Sequence, residues 1–162
     1  MKPRTKILVV ICVLIFAACW FGFVGFRSSP DQRQLKSDND LIEAIYAGDN
    51  QKAQSLLDSG ANANAKEQAF GLSALLIASE KADNGIVDLL IKKGADINAA
   101  DTRGFTPLMI ASAIGHIKAV KALVNAGANV NAKRPNNETA LAIALEADHK
   151  EIVVFLEKSG AK

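Results

Sequence analysis

The sequence predicts an all-α solenoid, a stack of short helix pairs, and three observations carry that prediction. Gly-Ala pairs recur at Gly60, Gly94, Gly127 and Gly160, with spacings of 34, 33 and 33 residues. Three of them lead into the same tail: Asn62-Ala63-Asn64-Ala65, Asp96-Ile97-Asn98-Ala99 and Asn129-Val130-Asn131-Ala132. Ahead of the glycines lie apolar stripes at helical spacing, Ile86-Val87-Leu90-Ile91, Ala119-Val120-Leu123-Val124 and Ile152-Val153-Leu156. A fixed period of this size belongs to stacked units, none of which buries its apolar face alone.

The chain opens with a different kind of segment. Residues 1–6 are basic, with Lys2, Arg4 and Lys6, and residues 7–26 carry no charge. A helix of that length reaches about 30 Å, enough to cross a bilayer core. Positive charge is denser before the segment than after it, so the repeats are expected on the extracytoplasmic side, in a bacterium the periplasm. Trp20, Phe21, Phe23 and Phe26 crowd its far end as an interfacial aromatic belt would. An uncleaved signal-anchor is the first reading of this transmembrane or signal helix. Two others use the same residues: a cleaved signal peptide ending at Cys19, or lipidation of Cys19, where Phe16-Ala17-Ala18-Cys19 resembles a lipobox. Residues 27–37 are polar apart from Leu35 and are expected to form a flexible linker.

Residues 38–162 divide into four units, 38–66, 67–100, 101–133 and 134–162. In the third, Thr106 suits an N-cap and Pro107 a first helical position, where its missing N–H leaves nothing unpaired. Ala78, Ala111 and Ala144 are small where first helices are expected to pack closely. Each Gly of a Gly-Ala pair is expected to end its second helix in a left-handed cap. The Asn and Asp residues that follow suit a turn. The loop from Asn64 to Gly71 is one residue longer than that from Asn98 to Gly104, so the first tip should bulge. The first unit, with Glu43, Gln51, Lys52 and Gln54, reads as a polar cap, while Val154 takes an outward position held by Asp88 and Lys121 in earlier units.

Over residues 38–162 the chain resembles the ankyrin repeat family, whose unit is a β-turn and two short antiparallel helices opened by a T-P-L-H-x-A signature. Here the signature reads Thr106-Pro107-Leu108-Met109-Ile110-Ala111, with Met109 in place of His. The same slot reads Ser73-Ala74-Leu75-Leu76-Ile77-Ala78 and Thr139-Ala140-Leu141-Ala142-Ile143-Ala144, and in the first unit Asn39-Asp40-Leu41-Ile42-Glu43-Ala44. The resemblance implies β-hairpin tips and a concave groove that grips other proteins. By aligned position, the groove would present Phe70, Leu72, Thr102, Arg103, Phe105, Asn136 and Glu138 on the tips. On the first helices it would present Tyr46, Glu80, Lys81, Ile114 and Glu146. Phe70, Arg103, Phe105 and Tyr46 are of residue types frequent among binding hot spots, and Phe105 has a second reading, packing onto the next hairpin.

Composition excludes several functions. The first thirty residues hold four basic residues and no acid, leaving residues 31–162 with 15 basic against 17 acidic. Such a domain offers no basic field for nucleic acid. Both cysteines, Cys12 and Cys19, lie in the apolar segment, so the repeats have no thiolate chemistry and no disulfide. His116 and His149 fall at the turn between paired helices, where the resemblance implies a backbone stitch, and they lack further metal ligands. Ser112 near His116 has no orienting acid, so a nucleophilic dyad is not expected. The glycines are spaced as helix caps, not as a phosphate loop. Asn137-Glu138-Thr139 matches a glycosylation sequon, but Thr139 already has a capping reason to be there.

The expected protein is therefore a non-enzymatic adaptor or scaffold without cofactor or metal, a monomeric domain tethered to the bilayer through residues 7–26. It would bind one further protein through the groove. An inhibitor or regulatory subunit that occludes an enzyme, and a scaffold of reversed topology facing the cytoplasm, are the alternatives.

Overall fold

The computed structural model describes residues 30–162. The apolar segment 7–26, with its anchor, cleavage and lipidation readings, lies outside the described residues. Among the described residues no helix is long and apolar enough to cross a membrane.

Among the described residues eight helices follow one another in four pairs. They are α1 (Pro30–Ala47) with α2 (Asn50–Asp58), α3 (Ala74–Glu80) with α4 (Asn84–Lys92), α5 (Pro107–Ile114) with α6 (Ile117–Asn125), and α7 (Ala140–Glu146) with α8 (Lys150–Lys158). First helices stack on first helices, α3 on α5 and α5 on α7. Second helices stack likewise, α2 on α4, α4 on α6 and α6 on α8. No strand occurs among the described residues, and the expected β-hairpins are reduced to tight turns with one isolated antiparallel bridge, Lys66 to Ser73. The connecting segments are too short and too rich in turn residues to support a ladder.

Local sequence accounts for each boundary. Ser73, Thr106 and Thr139 cap α3, α5 and α7, each hydroxyl accepting from the N–H three residues on. Pro107 stands at the first helical position of α5. The second helices end two residues before Gly60, Gly94, Gly127 and Gly160, all at positive φ between 81° and 99°. In that conformation an L side chain is strained.

The core is a single file of small and branched residues. Ala44, Ala78, Ala111 and Ala144 are buried in the stack of first helices. Opposite them lie Ile86, Val87 and Leu90, then Ala119, Val120 and Leu123, then Ile152 and Leu156. Ile91, Val124 and Val153 are only half-buried, so the buried stripe is narrower than the sequence pattern suggested. On α4 and α6 only the i, i+1, i+4 edge is fully covered, and on α8 only i and i+4.

One expectation is corrected. Residues 30–37, expected as part of a flexible linker, belong to the 18-residue helix α1. Side-chain bonds tie this polar stretch down. Gln34 Nε2 donates to Asp38 Oδ1 at 2.9 Å and to the Gly60 carbonyl at 3.3 Å, and Asp38 Oδ1 also accepts from the Asn62 N–H at 2.9 Å. Composition alone did not show Gly60 and Asn62 as partners, since they lie more than twenty residues away.

The same two bonds recur along the stack with asparagines. Asn64 Oδ1 accepts from the Asp96 N–H at 2.7 Å, Asn98 from that of Asn129 at 2.8 Å, and Asn131 from that of Lys162 at 2.9 Å. Asn64 Nδ2 and Asn131 Nδ2 donate to the Gly94 and Gly160 carbonyls. Within each unit Asn62, Asp96 and Asn129 close an Asx turn on the N–H two residues on. Gln34 and Asp38 of α1 together supply at the first unit what a single asparagine supplies later.

Candidate functional site

The tips and the ends of the first helices form the face on which the sequence places its candidate residues. The first tip is the widest: the Glu67 N–H reaches the Leu72 carbonyl at 2.9 Å, five residues on, whereas Asp101 N–H reaches Phe105 O across four. The extra residue is accommodated by a wider turn, and Phe70 stands on it with 59% of its surface exposed. Leu72 is half-buried and packs onto the core.

The second tip is organised by Asp101, whose side chain is fully buried. Its Oδ1 accepts from the N–H groups of Arg103 at 2.9 Å and Phe105 at 2.8 Å, and its Oδ2 accepts from Arg103 Nε at 3.0 Å. The third tip closes through the Arg134 N–H on the Glu138 carbonyl at 3.0 Å, with Asn137 at a positive φ of 66°. The Asn136 side chain, and after it the Arg134 guanidinium, hold the Glu138 carboxyl below its ordinary range.

The second and third tips are locked together. The Arg134 guanidinium lies 3.7 Å from the Phe105 ring centroid and that of Arg103 lies at 5.0 Å, so the ring is flanked by two arginines. A Cβ on Gly104 would come within 2.7 Å of Pro135 Cδ. Phe105 is thus packed onto the next tip and half-buried, not offered as a free aromatic. Glu138 is half-buried as well and spent on Arg134. Arg103 keeps an exposed side chain although its charge is matched by Asp101. Thr102 and Asn136 are exposed, and the Thr102 N–H reaches the Phe70 carbonyl at 3.4 Å.

On the helices, Tyr46 is 41% exposed and Ile114 42%, and Glu80, Lys81 and Glu146 are also exposed. Lys81 Nζ lies 5.8 Å from the centroid of the Tyr46 ring. Burial pushes the Tyr46 hydroxyl above its ordinary pKa, and the charges of Glu67 and Glu80 push it further in the same direction. Tyr46, Lys81 and Glu80 therefore converge from two helices, with Glu67 joining from the first tip.

Three residues of this face escaped the sequence reading. Arg134 was legible only as the partner of Glu138 four residues on. Glu67 has an Oε2 that is buried and without a hydrogen-bond partner. Leu145, 58% exposed, fills the slot that Ser79 and Ser112 hold as buried residues in earlier units.

The groups that could carry chemistry have structural duties. His116 Nδ1 lies 3.2 Å from the Ser79 carbonyl and His149 Nε2 3.1 Å from that of Ala113, each tying a turn to the preceding unit. Neither caps its own helix, whereas Asp49 and Asp83 in the first two units do. The Ser112 hydroxyl is buried without a partner, so it forms no dyad with His116. No group of three or more His, Cys, Asp or Glu suited to a metal occurs among the described residues.

The family model for ankyrin repeats (3 copies) matches residues 41–134 and 82–162. The chain belongs to the ankyrin-repeat family. Among curated proteins it is 38% identical over 84 residues to the 2-5A-dependent ribonuclease of Mus musculus and 37% identical over 84 residues to that of Homo sapiens. It is 39% identical over 76 residues to the mitochondrial disaggregase of Homo sapiens. These matches take in 51%, 51% and 47% of this chain but 11%, 11% and 10% of the relatives, so the likeness is confined to a small part of each. Ankyrin repeats are protein-interaction modules, and that role extends to this chain as a class.

Proposed function

We propose that this ankyrin-repeat chain is a non-catalytic adaptor, anchored in a bilayer through residues 7–26 with its repeats on the extracytoplasmic side, and that it grips one partner protein through the face of tips and first helices. The reading rests above all on the free apolar side chains of that face. Phe70, Tyr46 and Ile114 stand exposed on three successive units, while a third ring, Phe105, is spent inside the stack. Large exposed side chains repeated along one face are costly to keep in water without a use. The anchor reading rests on the twenty uncharged residues and the basic residues ahead of them.

The test is co-purification of crosslinked partners from native membranes with the wild type and with Tyr46→Ser/Phe70→Ser. Both side chains are exposed, so the variant keeps its helices and its unfolding midpoint. A partner captured by the wild type and lost from the folded variant supports the reading; equal capture by both refutes the face. A reporter fused after Lys162 and active only outside the cytosol tests the orientation, and a signal that requires the cytosol would reverse it.

A further inference from the structure

We propose that the first two units hold a seat for an arginine side chain of the partner protein, with the Tyr46 ring as its stacking face and the Glu67 and Glu80 carboxylates as its counter-charges. The inference rests on the partner-binding reading above and names the chemistry of what is gripped.

Tyr46 supplies the first reason. Its ring is exposed at the end of α1, and a cation already lies beside it, Lys81 Nζ at 5.8 Å from the centroid. A ring that tolerates an ammonium at that distance offers a face to a partner's cation. Lys81 is itself exposed on a flexible stem, so little is lost when an incoming group displaces it.

Glu67 supplies the second. Its Oε2 is closed to solvent and has no donor in the protein, so an arriving group meets Glu67 through the charge of its carboxylate and not through that oxygen. A guanidinium has five N–H donors in one plane, so a single arginine can lie over a ring and donate sideways to a carboxylate. A lysine ammonium is a point charge without that planar fork.

Placement supplies the third. Glu80 holds on α3 the register position that Tyr46 holds on α1, and the fields of both carboxylates reach the Tyr46 hydroxyl. Phe70 stands exposed on the same tip as Glu67, where it would meet an apolar neighbour of the arginine. The far half of the face offers no counterpart, because Arg103 and Arg134 there are matched by Asp101 and Glu138 around Phe105.

The chain contains one tyrosine, so a ring-labelled full-length protein reports Tyr46 alone. The probes are N-acetyl-arginine methylamide and its lysine and citrulline counterparts, followed by NMR of that ring. The arginine probe should shift the ring signal saturably, the lysine probe should bind several-fold more weakly, and the neutral citrulline probe should leave the signal in place. Glu67→Gln should weaken the arginine probe by about tenfold. Glu80→Gln, at an exposed position, should weaken it in the same direction and covers the case in which Glu67→Gln does not fold. No saturable shift with arginine, an equal response to citrulline, or undiminished binding in both variants overturns the seat. If the seat fails while Tyr46→Ser/Phe70→Ser still loses its captured partner, the face stands and only its chemistry is wrong.

Discussion

The imidazole of His149 rests directly against Gly115. A Cβ at that glycine would lie 2.7 Å from His149 Cε1, and the ring is held in place by its Nε2 at 3.1 Å from the Ala113 carbonyl. Gly115 also has a φ of 88°, so two constraints meet at one residue. Gly127, at φ 94°, has the same backbone strain but open space around it. Gly127→Ala should therefore cost about 1 kcal/mol. Gly115→Ala should cost about 2–3 kcal/mol once the displaced ring is included. Urea midpoints of the two variants check the order. In a His149→Ala background the excess at Gly115 should vanish, and an excess that persists would mean the ring is not its cause.

Core position separates a second pair. Leu123 is fully buried on α6, whereas Val154 is 48% exposed on α8. Leu123→Ala should lower stability by about 2–5 kcal/mol. Val154→Ala should stay within about 0.5 kcal/mol. Thermal or urea unfolding checks both, and a large loss at Val154 would show that something covers it.

The asparagine ladder makes a local prediction. Asn98→Ala removes the acceptor of the Asn129 N–H and should cost about 1 kcal/mol. Its signature is local: amide exchange at Asn129 should accelerate while exchange of the core helices keeps pace with global stability. Asp38→Ala should do the same to the Asn62 amide, since that carboxylate plays the asparagine's part at the first unit.

Tyr46 provides a titration. Its hydroxyl is raised by burial first and by Glu67 and Glu80 after it. A phenol whose folded pKa exceeds its unfolded value retains its proton longer in the folded chain. Its contribution to stability is present below the unfolded pKa and declines as pH rises through the interval up to the folded one. Ultraviolet titration of the phenolate should give a midpoint above the ordinary value of 10.0, and Glu67→Gln should bring it down without abolishing the shift. An unmoved midpoint in Glu67→Gln would place that carboxylate too far away to act.

Much of the fold was legible because its signals are local. The Thr106-Pro107 start, the glycine caps and the buried alanines are each set by a few neighbouring atoms, and residue type alone reveals them. The extra residue of the first tip was legible from the shift of the period from 33 to 34. What stayed hidden depends on partners about thirty residues apart. Gln34 read as linker, and Asp38 as the plain start of the first unit, because nothing in their neighbourhood names Gly60 or Asn62 as partners. Phe105 was legible both as a groove aromatic and as a side chain packed onto the next tip, and the choice rests on Arg134, which covers it from that tip. The face itself was legible by register, but its division into a locked half around Phe105 and a free half around Tyr46 required the side chains.

The most direct test is site-specific photocrosslinking in native membranes, with a photoreactive phenylalanine placed at Phe70, Ile114, Asp88 or Lys121 in turn. The first two sit on the face of tips and first helices, and the last two on exposed positions of the second helices. One partner protein should crosslink from positions 70 and 114 and not from 88 or 121. Crosslinking to that partner from 88 and 121, with none from 70 and 114, would contradict the assignment of the binding face.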